Sequence, residues 1–313
     1  MYSISKYKDQ SMYLGCLDPQ LDPLYQTIES LGGAQELGPV SARYVNSGVS
    51  GGGATGLDWA NACATVDAAI GLASAGDYIY LAPGHAENIS SATGCVADVA
   101  GITIVGLGTG SRISTLTCTA ATALVSVTAA NVRISNVKVV ANFANVASLV
   151  TLAATADGAV IDNCIFTDTS TILNMLNCIT VAADCDNIQL INNRFDAIAS
   201  ATSDSAIELA GGSDNSVIQG NKIYGTFTDG GVLASAAAST NLTVLDNVIG
   251  CIDAIAWDSH ASTTGLFGRN LLGANTTSIA AALTGVNAMF CFENYVTGAL
   301  GASGIIFPAV DAD

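Results

Sequence analysis

The sequence repeats itself with a period of about 26 residues, and this repeat limits the possible folds more than any other feature. Short pieces of alternating apolar and polar residues each contain an asparagine, and successive asparagines are 27, 30, 28, 26, 23 and 24 residues apart. The series consists of Asn136, Asn163, Asn193, Asn221, Asn247, Asn270 and Asn294. Alternation with a period of two is typical of β-strands rather than helices. Each repeat is therefore predicted to form one coil of a solenoid.

A second series of strand-like pieces runs in step with the asparagines. Its central residues are Val125, Val150, Ile179, Ile207, Val232, Ile255, Ile279 and Ile305. Two series with one period predict an all-β fold, a parallel β-helix of about eight coils of about 26 residues each. In such a fold each strand bonds to its copy in the next coil, roughly 4.8 Å away along the axis.

The repeated asparagine suits both a turn and a buried hydrogen-bonded ladder. Asn tolerates left-handed backbone conformations better than any residue except Gly. An inward amide can also bond to the amides of the coils above and below it. We therefore interpret the seven asparagines as a structural ladder rather than as a binding or catalytic site.

Composition and charge exclude several functional classes. The 313 residues contain 26 Asp and Glu against 9 Lys and Arg, which gives a net charge of −17. Nucleic acid and anionic membranes attract clustered cations, so neither is a predicted partner. Half of the residues are hydrophobic, which excludes a disordered chain, and no apolar stretch has the length of a membrane span. The first 20 residues lack the apolar region of a secretory signal, so synthesis in a cytoplasm is expected.

The nine cysteines and two histidines do not form a recognisable metal-binding pattern. No CxxC pair and no Cys/His pairing at zinc spacing occurs in the sequence. An odd number of cysteines favours reduced thiols that pack in the core as small hydrophobic groups. We predict neither a metal nor a cofactor.

The segment before the repeats has a helical pattern. From Trp59 to Leu72 the apolar residues recur at three- and four-residue spacing, and Asp58 stands at the position of an N-cap. This pattern predicts a helix that ends near Gly76 and caps the open end of the solenoid. The predicted organisation is an N-terminal docking arm (residues 1–41), the capping helix with the first strand (42–84) and the β-helix (85–313).

The N-terminal arm interleaves aromatic and basic residues in an otherwise acidic chain. The candidate docking residues are Tyr2, Lys6, Tyr7, Lys8, Tyr13 and Tyr25. Aromatic and cationic side chains are common anchors at protein interfaces. They predict a segment that docks on a partner protein, and a loosely packed terminus is the alternative.

The outward positions of the second series carry few catalytic groups. They are predicted to be Ser126, Thr151, Thr180, Glu208, Leu233, Ala256, Ala280 and Ile306. One of them is acidic, and the series becomes apolar towards the C-terminus, which is typical of a protein interface. Hydrolysis of a polysaccharide would instead need two carboxyl groups about 5 to 10 Å apart.

Two clusters of reactive groups stand apart from these positions. Arg194 and Lys222 fall at equivalent positions of adjacent coils with Asp196 nearby, which would suit a lyase but is more typical of a solvated surface pair. The stretch CIDAIAWDSHAS combines acids, a base and an aromatic ring in Asp253, Trp257, Asp258 and His260. We interpret both clusters as structural and assign no catalytic residue.

The segment RYVNSGVSGGGATGLDWANACATVDAAIGLASAGDYIYLAPG, followed by GITIVGLG and the asparagine coils, resembles part of a known superfamily. It looks like the right-handed parallel β-helix proteins of the pectate-lyase-like superfamily, especially those of tailed bacteriophages. The resemblance covers about residues 42 to 310. It implies a right-handed coil but not one activity, because the superfamily includes lyases, glycosidases, phage tailspikes and capsid-decorating proteins. The family's lyase motif and its glycosidase motif are both absent.

The layout of a short arm before bare coils resembles that of a capsid-decorating protein. From this resemblance we predict a non-enzymatic phage virion protein that binds the major capsid protein and stabilises the capsid surface. A homotrimer is expected, associated through the apolar outer stripe. The alternatives are a phage tailspike or receptor-binding protein that binds or cleaves host polysaccharide, and a polysaccharide lyase or glycosidase.

Overall fold

A computed structural model describes residues 41–49, 54–197, 203–251, 255–274, 283–298 and 303–306. Backbone contacts divide the chain into two compact units, Met1–Ser41 and Ala42–Asp313. All described strands and helices belong to the second unit. The six candidate docking residues of the arm lie outside the described residues, as do Asp253 and Ala280.

The described chain is almost entirely β and forms three long sheets. Sheet 1 contains β1 (Ala42–Val45), β2 (Tyr78–Leu81), β5 (Thr103–Gly106), β8 (Arg133–Ser135), β11 (Val160–Asp162), β14 (Gln189–Ile191), β17 (Val217–Gln219), β20 (Leu242–Leu245), β23 (Gly265–Gly268) and β26 (Met289–Phe292). Sheet 2 contains β3 (Ala86–Ile89), β6 (Ser114–Cys118), β9 (Val137–Ala141), β12 (Ile165–Asp168), β15 (Arg194–Ala197), β18 (Lys222–Gly225), β21 (Val248–Cys251), β24 (Leu271–Ala274), β27 (Asn294–Gly298) and β28 (Ser303–Ile306). Sheet 3 contains β4 (Val96–Ala97), β7 (Val125–Val127), β10 (Val146–Leu152), β13 (Met175–Val181), β16 (Ser203–Leu209), β19 (Phe227–Ala234), β22 (Trp257–Ser259) and β25 (Leu283–Thr284).

Strands of successive coils pair in parallel, and this pairing confirms the predicted β-helix. In sheet 3, for example, Val150 of β10 lies opposite Ile179 of β13. Among the described strand pairs, β27 with β28 is the one antiparallel pair. Because β1 and β2 pair with each other and β2 pairs with β5, residues 42–84 contribute to the same sheet as the later coils.

The core consists of columns of equivalent side chains that stack from coil to coil. One column of sheet 1 contains Ile79, Ile104, Ile134, Ile161, Leu190, Ile218, Val244 and Phe267, all of them buried. Such stacking removes apolar surface from water in every coil, which stabilises the fold by about 25 cal/mol per Å². Small aliphatic residues dominate because the space inside a coil is narrow.

The eight described cysteines are free and buried, and they pack in this core. Burial raises the pKa of Cys118, Cys164 and Cys185 to about 12. Since the thiolate is the reactive form, these thiols serve as small hydrophobic groups rather than as nucleophiles.

The predicted capping helix from Trp59 to Leu72 is wrong in its extent. Within the described residues one α-helix is present, α1 (Val66–Ile70), and its N-cap is Thr65 rather than Asp58. Cys63 instead forms a parallel bridge with Val45 of β1 through backbone bonds to Tyr44 and Asn46, and its side chain is fully buried there. So short a helix does not support the predicted cap, and no helix of the described chain has the length and apolarity of a membrane span.

The outward column of sheet 3 differs from the prediction after Leu233. The registers of the strands give Ser126, Thr151, Thr180, Glu208, Leu233, Asp258 and Thr284. Val232 pairs with Trp257 rather than with Ile255, because this coil is two residues longer than the sequence pattern indicated. Ala256 is fully buried, and Ile306 belongs to β28 of sheet 2. The apolar stripe predicted for trimer formation is therefore not present on the described part of sheet 3.

Candidate functional site

Five of the seven predicted ladder residues form a continuous buried ladder. They are Asn193, Asn221, Asn247, Asn270 and Asn294. Each Nδ2 donates to the Oδ1 of the next asparagine at 3.0 to 3.2 Å. The same Oδ1 accepts the backbone N–H of the preceding asparagine at 2.9 to 3.0 Å. All five side chains are at most 1% exposed, so the ladder is structural and cannot contact a ligand.

Asn136 and Asn163 do not belong to this ladder, which corrects the prediction for both. They lie one position earlier in their coils and adopt left-handed conformations with φ of 55° and 54°. Cys164 occupies the ladder position of its coil, and its backbone N–H donates to Asn193 Oδ1 at 2.9 Å. Later coils place other residues at the left-handed position, namely Asn192, Gly220, Asp246, Arg269 and Glu293.

The outer face of sheet 1 has a shallow groove centred on an ion pair between adjacent coils. Arg133 donates to both carboxylate oxygens of Asp162, from Nε at 2.7 Å and from Nη2 at 2.9 Å. Ser135 Oγ and Asn163 Nδ2 also donate to Asp162 Oδ2, at 3.0 and 2.6 Å. The groove has a volume of about 370 Å³ and is lined by Arg133, Val160, Asp162, Asn163, Gln189, Ile191 and Asn192.

The hydrogen bonds keep both members of this ion pair charged. Burial raises the pKa of Asp162, but the bonds from Arg133, Ser135 and Asn163 together hold that pKa below its usual range. The bond to Asp162 also raises the pKa of Arg133. A carboxyl group with a lowered pKa cannot serve as a general acid near neutral pH. The groove is therefore equipped to hydrogen-bond a polar ligand rather than to protonate one.

A second ion pair of the same design lies further along this face. Arg269 donates to Asp246 from Nε at 2.6 Å and from Nη2 at 2.8 Å. Gln219 Nε2 donates to Asp246 Oδ2 at 3.2 Å. The Arg269 guanidinium lies 5.6 Å from the centre of the Phe292 ring, within the range of a cation–π contact.

Aromatic residues occupy both ends of sheet 1. At the first coils the ring centres of Tyr44 and Trp59 are 4.6 Å apart, and those of Tyr44 and Tyr80 are 5.9 Å apart. At the last coil Phe290 and Phe292 are 5.9 Å apart, and Phe290 is 62% exposed. Exposed rings offer stacking surfaces to an apolar or sugar face.

The structure brings Arg194, Lys222 and Asp196 together on sheet 2, as their spacing indicated. Arg194 lies opposite Lys222 in the register of β15 and β18. Arg194 Nε is 2.6 Å from Asp196 Oδ2 within the same strand. A guanidinium held by a carboxylate is a hydrogen-bond donor and a cation, not the base that a lyase needs.

The described residues of CIDAIAWDSHAS do not converge on one site. Trp257 points inward, where it is fully buried, contacts the Phe267 ring at 5.3 Å and donates from Nε1 to Ser259 Oγ at 3.0 Å. Asp258 points outward and accepts a hydrogen bond from Thr284 Oγ1. His260 Nδ1 accepts the backbone N–H of Ser262 at 3.2 Å.

Sequence reasoning missed one pair of acids, Asp204 and Asp229, on adjacent strands of sheet 3. Burial, and then the negative charge of Asp229, raise the pKa of Asp204. Both residues lie near the start of their strands, before the alternating core segment. Glu208 lies nearby on β16 and accepts from Asn177 Nδ2 at 2.9 Å. This acidic group belongs to sheet 3, whereas the groove belongs to sheet 1.

No group of three or more His, Cys, Asp or Glu side chains in the described chain is placed to hold a metal ion. His85 and Glu87 form a buried pair, with His85 Nε2 3.1 Å from Glu87 Oε2. Both side chains are engaged further, because His85 Nδ1 accepts from Ser47 N and Glu87 Oε2 accepts from Val66 N. These bonds tie the first coils together and leave no open position for a ligand.

The three sheets and their parallel registers define a right-handed parallel β-helix protein. No protein-family model matches the chain, and no curated protein matches it. Among solved structures, a rhamnogalacturonan lyase is similar with a TM-score of 0.57 and 10% sequence identity, over 82% of this chain and 74% of that chain. At this identity the similarity shows the fold alone, which is one that a polysaccharide-acting enzyme also uses.

Proposed function

We propose that this protein binds an extended, neutral polysaccharide along the outer face of sheet 1 and does not cleave it. The observation that carries the proposal is the groove around the Arg133–Asp162 ion pair. The ion pair of Arg269 with Asp246 repeats the same groups further along the face. The fold similarity to a rhamnogalacturonan lyase supports the general class of ligand.

The periodic spacing of the coils favours a polymer over a small molecule. Polar side chains recur along sheet 1 roughly every 4.8 Å, and a linear polysaccharide presents its hydroxyl groups at regular intervals as well. The groove offers the half-exposed Arg133 guanidinium and the exposed amides of Gln189 and Asn192, whereas Asp162 is buried and holds Arg133 in place. Exposed rings such as Trp59 and Phe290 would stack on sugar rings at the two ends.

The charges on this face favour a neutral polymer over one that contains uronic acids. Arg133 and Arg269 are each neutralised by two hydrogen bonds from their guanidinium groups to a carboxylate. Neither cation is available for the carboxylate of a uronic acid. The net charge of −17 adds a general repulsion against acidic polymers.

The electrostatics of the groove favour binding without cleavage. Hydrolysis needs a general acid with a raised pKa beside a second carboxylate. Hydrogen bonds lower the pKa of Asp162, and the bond from Arg269 lowers the pKa of Asp246 despite a smaller opposing effect of burial. The acid whose pKa is raised, Asp204, lies on sheet 3, away from the groove.

Replacing Asp162 with alanine is expected to weaken binding of a soluble neutral glucan about tenfold, or roughly 1.4 kcal/mol. The variant frees the Arg133 guanidinium and the Asn163 amide to move, since the ion pair and the bonds from Ser135 and Asn163 are removed. Asp196→Ala is the matched control, because it breaks an equally short Arg–Asp pair on sheet 2. Calorimetric titration measures both affinities.

Three outcomes would contradict parts of this proposal. Binding of no polysaccharide in a panel of neutral glucan, galactomannan and polygalacturonate would refute the binding function. Equal loss of affinity in Asp162→Ala and Asp196→Ala would refute the location. New reducing ends or unsaturated products, lost in Asp204→Ala, would establish a catalytic site on sheet 3.

A second candidate function is decoration of a phage capsid, with the major capsid protein as partner and the virion surface as location. The observation that favours it is the division of the chain after Ser41, which separates the aromatic and basic arm from the coils. Aromatic and basic side chains are common anchors at protein interfaces.

Deleting residues 1–41 is expected to abolish binding to purified capsids and to leave glucan binding unchanged. The physical reason is that the groove residues and the strands that carry them all lie in Ala42–Asp313. Sedimentation of the variant with capsids measures the first effect, and circular dichroism checks that the β-sheet signal is kept. Undiminished sedimentation with capsids would refute the role of the arm.

A further inference from the structure

Sheet 2 carries a strip of exposed apolar side chains on its last coils. Val248, Leu271 and Tyr295 are in register on β21, β24 and β27, and they are 43%, 42% and 42% exposed. Tyr224 on β18 is 64% exposed. Parallel strands place these side chains side by side, so they form one continuous surface, which we name the apolar strip.

The apolar strip is flat and continues into a basic segment. Gly250 and Gly273 occupy the neighbouring outward column, where a Cβ at Gly250 would lie 3.2 Å from Cδ2 of Tyr224. One edge of the Tyr224 ring therefore lies over the glycine, while most of the residue stays exposed. The column of Val248 continues towards earlier coils through Lys222 and Arg194.

Sheet 3 carries acidic side chains at about the same level along the axis as the basic residues of sheet 2. Asp204 and Glu208 lie on β16, Asp229 on β19 and Asp258 on β22. Leu233 lies between Glu208 and Asp258 in the outward column, so this acidic face has an apolar centre.

We propose that sheet 2 of one copy packs against sheet 3 of a second copy. The apolar strip would be removed from water, and Lys222 would face the acids of sheet 3 in the partner, whereas Arg194 is already paired with Asp196. In a chain with a net charge of −17, two copies repel each other except where a basic surface meets an acidic one, which selects this pair of faces.

The proposed contact joins two different surfaces and is therefore heterologous. Such contacts close into a ring when the rotation between copies permits it. Sheet 1 takes no part in the contact, so the groove around Arg133 and Asp162 stays open in every copy. This arrangement moves the apolar surface of the predicted trimer from sheet 3 to sheet 2.

The test uses the full chain and measures its molar mass by light scattering across a concentration series. The wild type is expected to be oligomeric, and Leu271→Ser with Tyr295→Ser is expected to shift it to monomer. Lys222→Glu and Asp229→Lys, made singly, are each expected to weaken association more than tenfold. Combined in one chain they restore a complementary pair at every contact, so association is expected to recover.

Matched controls change the same charges elsewhere on the surface. Arg112→Glu and Asp98→Lys lie in exposed turns outside both faces and are expected to leave the mass unchanged. Thermal unfolding checks that each variant is folded. A monomeric wild type would overturn the proposal, as would an oligomer that survives both the strip variant and the charge variants. No recovery in the double charge variant would overturn the pairing of these two faces.

Discussion

Replacing Asn247 with alanine is expected to lower the free energy of unfolding by roughly 4 kcal/mol. Asn247 Oδ1 accepts the backbone N–H and the Nδ2 of Asn221, at 2.9 and 3.1 Å. Its Nδ2 donates to Ile218 O and to Asn270 Oδ1, at 2.9 and 3.0 Å. Alanine removes these four hydrogen bonds from a site that water does not reach, and each contributes about 1 kcal/mol. Asn221 Nδ2 keeps its bond to Leu190 O, and Asn270 Oδ1 keeps the backbone N–H of residue 247.

Asn163→Gly is the matched control for this experiment. Asn163 lies at a left-handed position with φ of 54°, which glycine adopts without strain. Its side-chain amide donates to Asp162, which keeps its bonds from Arg133 and Ser135. Urea unfolding of both variants is expected to show a loss below about 1 kcal/mol for Asn163→Gly. Equal losses in the two variants would refute the distinction between the ladder and the turn column.

Trp257→Ala is expected to cost about 3 to 5 kcal/mol of stability, the usual range for truncation of a large buried ring. The indole is fully buried against Phe267, and its Nε1–H donates to Ser259 Oγ. The alanine variant leaves a cavity and an unpaired hydroxyl acceptor inside the coil. Thermal and urea unfolding measure the loss.

His260→Ala, in the same coil, provides the comparison for Trp257→Ala. His260 is partly exposed, and its side chain accepts the backbone N–H of Ser262, so the cost is expected to stay below about 1 kcal/mol. A stable Trp257→Ala variant with impaired glucan binding would contradict the structural assignment of Trp257 and favour a role in ligand contact.

The sequence was sufficient to predict the fold class because each coil repeats one environment. It was not sufficient to separate neighbouring columns. Asn136 and Asn163 suit the left-handed turn, whereas Asn193 and its successors suit the buried ladder, and both positions accept the same residue type for different reasons. Because the turn column and the ladder column are one residue apart, an asparagine in the sequence does not show to which of the two columns it belongs.

Coil length limited the prediction of the surface. The coil between Val232 and Trp257 is two residues longer than its pattern indicated, and this difference replaces Ala256 by Asp258 at the outward position. The groove was harder still to predict, because its ion pair is diagonal. Arg133 lies opposite Val160 in the register and reaches across to Asp162. Such a contact depends on side-chain length and direction as well as on alignment.

The asparagine ladder also determines how this protein can change its length during evolution. Between Asn193 and Asn294 every rung offers the same donors and acceptors to both neighbours. A duplicated coil inserted here would find its partners on both sides, and a deleted coil would leave two asparagines that bond to each other. An asparagine rung added before Cys164 would face a thiol in the next coil, so it would lack the amide oxygen that Asn221 offers to Asn193. Relatives of different length are therefore expected to gain and lose whole coils in the C-terminal half.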